Sequence, residues 1–183
     1  MDADSAGPRA AMADAWVTFR LGSQVYGLPV APIEQIVPMV TITPLPEIGE
    51  PVAGVINVRG RPVPVVDLRR HVGQAQAAFL LDTPIVLSHI ADHSLGLVVD
   101  EVLDVLSLAP GDLIAPTQIL PSELGQAPVI AALARMPGGL GLLLDPDHLF
   151  GPEQREALTR AAEMLPQLAA KARIPGGDSG AGA

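Results

Sequence analysis

The sequence contains no cysteine, few aromatic residues and fewer basic than acidic side chains. Its 183 residues include 11 Lys and Arg against 20 Asp and Glu, which gives a formal net charge of −9, and 3% of them are aromatic. Without cysteine there is neither a disulfide framework nor thiolate chemistry, which fits a reducing compartment. A chain this acidic also lacks the basic footprint that nucleic-acid binding requires. The composition therefore excludes a disulfide-stapled scaffold and argues against a nucleic-acid-binding protein.

Long hydrophobic runs are also absent. No stretch reaches the roughly eighteen apolar residues of a membrane-spanning helix. The N-terminal residues MDADSAGPRA are acidic and small, unlike a signal peptide with its basic start and apolar centre. Hydrophobic residues still make up 49% of the chain, which is ample for a core of Val, Ile, Leu and Ala. The length allows one domain or two small, closely packed ones.

The most informative stretch is Gly54–Leu68, which reads GVINVRGRPVPVVDL. Its two Val- and Ile-rich runs, separated by Arg59-Gly60-Arg61-Pro62, predict a hairpin of paired strands. Gly60 suits the turn because a tight hairpin needs a residue that tolerates positive φ, and we expect Asn57 to help fix it. Asp67 ends the second run, where its carboxylate is expected to accept from the free amides of a short helix.

Arginines at the tip of this hairpin are unusual in an acidic chain. Arg59 and Arg61 are either solvated turn charges, as most surface arginines are, or a cationic contact for an acidic partner. Neither strand of the hairpin carries a nucleophile or a pair of metal ligands. The hairpin is therefore a candidate binding element and not a candidate catalytic one.

The pattern Gly-x-x-Asn-x-Arg-Gly, followed by a proline-containing valine run that ends in Asp-Leu, resembles the CheW-like coupling domain of bacterial chemosensory arrays. The residues that match this motif are Gly54, Asn57, Arg59, Gly60, Pro64, Val66, Asp67 and Leu68. The motif is long and irregular, so agreement at all of these positions is a specific signal. The resemblance covers about residues 15–150.

An internal repeat supports the fold that this resemblance implies. Residues 26–30, followed by Ile33, Ile36 and Val37, are echoed at a constant offset by residues 95–99, followed by Val102, Val105 and Leu106. The repeated units are strand hairpins, which favours two similar small barrels. The resemblance implies the same architecture, a mainly β fold of two SH3-like five-stranded β-barrel subdomains with a C-terminal helix.

The expected organisation follows from these boundaries. We expect a disordered lead at residues 1–14, the CheW-like domain at residues 15–150, a C-terminal helix at 151–173 and a flexible tail at 174–183. The domain divides into approximate halves at 15–78 and 79–150, with strand exchange between the halves left open. Within it, residues 29–37 are expected to hold a short helical turn, and residues 110–126 are expected to be a loop.

The resemblance also implies a function. CheW-like proteins are non-enzymatic adaptors that couple the cytoplasmic tips of methyl-accepting-type chemoreceptors to the regulatory domain of a CheA-type histidine kinase. By this resemblance, the receptor-binding residues are Arg59 and Gly54 at the hairpin, with Ile33 and Val105 lining a groove between the barrels. Ordinary core is the alternative role for Ile33 and Val105. The expected location is the cytoplasm, at the periphery of membrane-bound receptor arrays, without a cofactor, a metal or direct membrane insertion.

Two positions depart from the family pattern. Pro29 stands where relatives often carry an acid, and Gln35 replaces a glutamate that is common on the rim of the groove. These departures leave open which receptor and kinase are bound, and whether the output is flagellar, pilus-based or other.

A different class of function rests on two histidines. His89 precedes the predicted turn Ala91-Asp92-His93, and across this turn His89 and His93 would converge as metal ligands of a small-ligand-binding or hydrolytic barrel. Zinc sites need three or four well-placed donors, and only Asp92 is nearby. The acids Asp100, Glu101 and Asp104 are expected to form a solvated face, so no catalytic residue is predicted.

Overall fold

The computed structural model describes residues 15–45, 48–75, 78–119 and 129–172, so the expected lead at 1–14 and tail at 174–183 lie outside the described residues. The described chain is mostly strands: β1 Ala15–Leu21, β2 Gln24–Pro29, β3 Ile33–Pro38, β4 Val52–Val58, β5 Arg61–Asp67, β6 Pro84–Ile90, β7 His93–Val98, β8 Glu101–Ser107, β9 Leu113–Ile114, β10 Ile130–Met136 and β11 Gly139–Leu144. Its helices are α1 Leu68–His71, α2 Pro116–Ile119 and α3 Pro152–Ala172, with a 3-10 turn at Pro110–Asp112.

The strands form two sheets. A six-stranded sheet has the order β8-β1-β2-β11-β10-β9, and a five-stranded sheet has the order β3-β6-β7-β5-β4. Most neighbouring strands are antiparallel, and four of these pairs are hairpins, whereas β11 pairs with β2 and β5 pairs with β7 in parallel. Two sheets and a single long helix confirm the predicted mainly β fold class.

The two sheets repeat one pattern and exchange one strand. The β1–β2 hairpin is flanked by β8 and β11 in one sheet, just as the β6–β7 hairpin is flanked by β3 and β5 in the other. The strand after each hairpin therefore joins the opposite sheet: β3 follows β2 but pairs with β6, and β8 follows β7 but pairs with β1. Each sheet thus draws strands from both halves of the chain.

The main core lies where the two sheets meet the C-terminal helix. Phe19 and Leu28 come from the six-stranded sheet, Val66 and Leu97 from the five-stranded sheet, and Leu158 from α3, and all five are almost fully buried in one cluster. A second cluster of buried apolar side chains comes from the strands of the five-stranded sheet. Burial of these apolar side chains is the dominant favourable term that holds the sheets together.

The segment that follows β2 differs from its prediction. The helical turn expected within residues 29–37 is wrong, because Ile33–Pro38 is strand β3 and pairs antiparallel with β6. Isoleucine and valine are stiff at χ1 and favour strands, and here the edge of β6 was available for pairing. The expected loop at 110–126 contains the 3-10 turn, β9 and α2, and its residues from 120 onward lie outside the described part.

No helix in the described ranges is long and apolar enough to cross a membrane.

Candidate functional site

The hairpin between β4 and β5 is closed by two residues, Arg59 and Gly60. Both have positive φ, 51° for Arg59 and 84° for Gly60. This is the type I′ pattern, whose twist matches that of the flanking strands. The Gly60 N–H donates to Asn57 Oδ1 at 2.7 Å, so the asparagine side chain holds the turn. The tip of the hairpin is therefore a defined structure and not a loose loop.

Arg59 holds a position that glycine or asparagine would occupy at lower cost. A left-handed conformation costs an ordinary L-residue roughly 1–2 kcal/mol. The side chain is exposed, and within the described ranges no hydrogen bond or ion pair compensates for that cost. Strain without local compensation points to a function for the residue rather than a role in stability.

Gly54 lies in β4 and is buried, unlike Arg59. A Cβ at this position would stand 2.5 Å from the carbonyl oxygen of Thr43 and 2.6 Å from Cγ2 of Ile42. Thr43 and Val55 exchange two backbone hydrogen bonds of 2.8 Å directly beside it. The absence of a side chain at Gly54 therefore lets the segment of Ile42 and Thr43 pack against β4. This packing supports the hairpin.

Ile33 and Val105 lie on the two exchanged strands, β3 and β8, and thus on different sheets. Ile33 is half-buried and packs against the main core. Val105 is 56% exposed, so its side chain is not ordinary core. Ile36, which holds the place of Val105 in the first copy of the repeat, is 42% exposed. The repeat in the sequence is the signal that identifies Ile36 as a further exposed apolar position.

Asp67 caps α1 and also belongs to a buried charge cluster that sequence analysis missed. Its Oδ1 accepts from the backbone N–H of Arg69 at 3.0 Å and from the side-chain Nε at 3.1 Å. Arg69 Nη1 donates to Asp100 Oδ1 at 3.0 Å. Burial lowers the pKa of the Arg69 guanidinium, but the two carboxylates outweigh it and raise that pKa overall. Asp100 is thus a partner in an ion pair and not merely part of a solvated face.

A small cavity of about 170 Å³ lies beside the hairpin. Arg61 and Glu34 contribute opposite charges to its lining, and Val58, Val63 and Leu87 contribute apolar surface. Gln35, the departure from the family pattern, is exposed on the same strand as Glu34, and Pro29 ends β2. The hairpin and β3 therefore border one surface that combines charge with apolar area.

The two histidines do not converge. In the β6–β7 ladder His89 is opposite Ser94 and His93 is opposite Ile90, which places the two imidazoles on opposite faces. His93 Nε2 lies 3.1 Å from Thr159 Oγ1 of α3, whereas His89 is exposed. Within the described ranges no group of three His, Cys, Asp or Glu side chains is placed to hold a metal ion. The geometry does not support the ligand-binding or hydrolytic alternative.

Comparison with known proteins agrees with this arrangement. The family model of the CheW-like domain matches residues 15–154. The chemotaxis protein CheW of Rhizobium meliloti (strain 1021) is 30% identical over 141 residues, covering 77% of this chain and 90% of the relative. CheW of Treponema pallidum (strain Nichols) is 25% identical over 146 residues, covering 78% and 85%. The crystal structure of the scaffolding protein TtCheW from Thermoanaerobacter tengcongensis superposes with a TM-score of 0.67 at 26% identity, covering 78% of this chain and 96% of that one.

Proposed function

Because the chain belongs to the CheW-like domain family, we propose that it is a non-enzymatic adaptor in the cytoplasm. It couples the cytoplasmic tips of methyl-accepting-type chemoreceptors to the regulatory domain of a CheA-type histidine kinase. The coupling takes place at the periphery of membrane-bound receptor arrays.

The observation that carries this proposal is the conformation of Arg59. A cation is held at positive φ on the tip of a hydrogen-bonded turn, exposed, in a protein with a net charge of −9. An exposed guanidinium on a rigid turn is suited to a carboxylate of a partner, which it binds through two parallel N–H donors. Because the turn is already ordered in the free protein, binding does not carry the entropic cost of ordering its backbone.

Apolar side chains on the exchanged strands supply the second part of the receptor surface. Ile33 and Val105 lie on different sheets, and Val105 leaves more than half of its side chain in solvent. A receptor tip made of helices would lay its apolar face across such positions, in the helix-in-groove mode. Gly54 contributes indirectly, because its close packing in β4 supports the hairpin that carries Arg59.

The direct test is binding of a receptor cytoplasmic fragment to Arg59→Glu. A hydrogen bond to a charged group is worth roughly 1.5–3 kcal/mol, so we expect binding to weaken about tenfold or more. Arg59→Gly should weaken binding as well without lowering the melting temperature, because glycine adopts the positive φ at lower cost than arginine.

Arg160→Glu is the matched control, since it reverses an exposed charge on α3. Calorimetric titration of the four proteins with the same fragment compares them directly. Equal losses for Arg59→Glu and Arg160→Glu would mean that only the net charge matters, and the assignment of Arg59 would fail.

A further inference from the structure

One carboxylate joins the two sheets on one side of the molecule. Asp100 lies between β7 of the five-stranded sheet and β8 of the six-stranded sheet. Its Oδ1 accepts from Arg69 Nη1 at 3.0 Å, and its Oδ2 accepts from the backbone N–H of Gly22 at 2.6 Å. Arg69 follows the end of β5, and Gly22 lies in the β1–β2 turn. The bridge therefore runs from one sheet to the other through a single side chain.

Two further hydrogen bonds reinforce the bridge. The Asp100 backbone N–H donates to the Arg20 carbonyl oxygen at 3.0 Å, and Gln74 Nε2 donates to the Leu21 carbonyl oxygen at 2.9 Å. Arg69 is only 3% exposed, and its guanidinium lies 5.1 Å from the centre of the Phe79 ring. Burial and the Phe79 ring therefore help to fix the orientation in which the Arg69 guanidinium donates to Asp100.

The bridge lies at the edge of the main core. Leu21, next to Gly22, and Val99, next to Asp100, are both fully buried in that core. An open cleft of about 620 Å³ borders Arg69 and Asp100, and its walls include Arg20 and Val102 from the six-stranded sheet and Pro84 from the five-stranded sheet. The charged bridge therefore adds a polar contact between the sheets beside this cleft, next to the apolar core.

The repeat lacks this bridge on its other side. Ala31 holds the place of Asp100 in the crossover from β2 to β3, and it carries no hydrogen-bonding side chain. Asp145 echoes Asp67, but Asp147 holds the place of Arg69, so no cation corresponds to the guanidinium. Asp145 accepts from its own turn, at the Asp147 N–H and at His148 Nδ1. Backbone hydrogen bonds also hold the crossover at residues 30–32, from the Val30 N–H to the Ala15 carbonyl oxygen at 3.0 Å and from the His89 N–H to the Pro32 carbonyl oxygen at 2.7 Å. The two crossovers between the sheets therefore differ in their side-chain contacts.

We propose that Arg69, Asp100 and the Gly22 N–H form a one-sided latch that sets the angle between the two sheets. Net stability is a weak reason for such a buried ion pair, since apolar residues of equal volume often serve as well. Fixing one geometry among several is the role that such pairs perform best.

The latch has a consequence for binding that rests on the proposed function. Asp100 immediately precedes β8, which carries Val105 in the six-stranded sheet, whereas Ile33 lies on β3 in the five-stranded sheet. The angle between the sheets therefore sets the separation of these two side chains. A loosened latch lowers the affinity for a receptor fragment, because the surface is no longer preorganised.

The test measures the distance between the sheets without any partner. Since the chain has no cysteine, His89→Cys on β6 and Ala131→Cys on β10, both exposed, can be spin-labelled selectively. Pulsed electron resonance should give a narrow distance distribution in the parent and a broadened, shifted one in Asp100→Asn. The asparagine keeps the size of the side chain, but its NH₂ group replaces one of the two carboxylate oxygens, so either the guanidinium or the Gly22 N–H loses its acceptor.

Two variants keep this test decisive. Arg69→Lys keeps the buried charge but loses the fork that joins two carboxylates, so it should broaden the distribution even if Asp100→Asn folds poorly. Glu101→Gln is the control, because it breaks the exposed pair of Arg20 and Glu101 within one sheet and should leave the distances unchanged.

Parent-like distances in Asp100→Asn and Arg69→Lys would overturn the latch, whatever their melting temperatures. Titration with a receptor fragment separates the two proposals. If the parent itself does not bind the fragment, the proposed function fails while the distance measurement still decides the latch.

Discussion

Replacing Gly54 by alanine is expected to destabilise the protein by about 2–6 kcal/mol. The new Cβ would stand 2.5 Å from the Thr43 carbonyl oxygen, which is backbone and cannot rotate away as a side chain can. The φ of 152° adds strain, since L-residues rarely adopt it. To admit the methyl group, the segment that carries Ile42 and Thr43 must move off β4.

The magnitude follows from what that movement breaks. Strain at an unfavourable backbone conformation costs of order 1–3 kcal/mol. The two hydrogen bonds between Thr43 and Val55, each 2.8 Å, contribute roughly 0.5–1.5 kcal/mol apiece when lost. Ile42 also packs against the core of the five-stranded sheet. For a chain of this size the melting temperature should fall by roughly 5–15 °C.

Urea and thermal melts followed by circular dichroism measure this effect. Gly49→Ala is the matched control, because a Cβ at Gly49 would meet no atom within 4 Å, and its melt should coincide with the parent's. A Gly54→Ala protein as stable as Gly49→Ala would refute the close approach. Reduced receptor binding by a Gly54→Ala protein of unchanged stability would show that Gly54 contacts the partner directly.

Two further predictions concern the turn and a half-buried histidine. Gly60→Val should cost roughly 1–3 kcal/mol of stability through its φ of 84° alone, since a Cβ there meets no atom; an unchanged urea midpoint would contradict this. Burial, partly opposed by the Leu149 carbonyl oxygen, lowers the pKa of His71. The folded state therefore binds this proton less readily than the unfolded chain, so this contribution to stability is present above the unfolded pKa of about 6.5 and is lost as pH falls below it. In His71→Gln the loss of unfolding free energy between neutral pH and pH 5, measured by urea melts, should be smaller than in the parent; an equal loss would assign the effect to other groups.

The hairpins were predictable because their signals are local. Alternation along β1, the valine runs around Gly60 and the turn at residues 137–139 each specify a strand pair without reference to the rest of the chain. The internal repeat extended this to two similar sheets. Such patterns record which residues pair with their sequence neighbours, and most of the pairing in this fold is of that kind.

The exchange of β3 and β8 carries no local signal. Residues 30–32 do not reveal that the next strand joins the opposite sheet, and the sequence of residues 29–37 therefore predicts a short helical turn where the structure has strand β3. The ion pair of Arg69 and Asp100 is not predictable from local sequence for the same reason, because the two residues are brought together only when the chain folds. The motif located Arg59, but the strain of its backbone is visible only in the structure.

The most direct test of the proposed coupling function is reconstitution of kinase activity. A scaffold without chemistry of its own can change a kinase's rate only by binding its active arrangement better than its inactive one. Addition of this protein to cognate receptor and kinase should therefore raise phosphate incorporation into the kinase above the level with either partner alone. Ile33→Asp and Arg59→Glu should abolish that rise while each still binds the kinase, and the purified protein should not hydrolyse ATP. A kinase that responds fully to its receptor without this protein, or turnover of ATP by the protein itself, would contradict the coupling function.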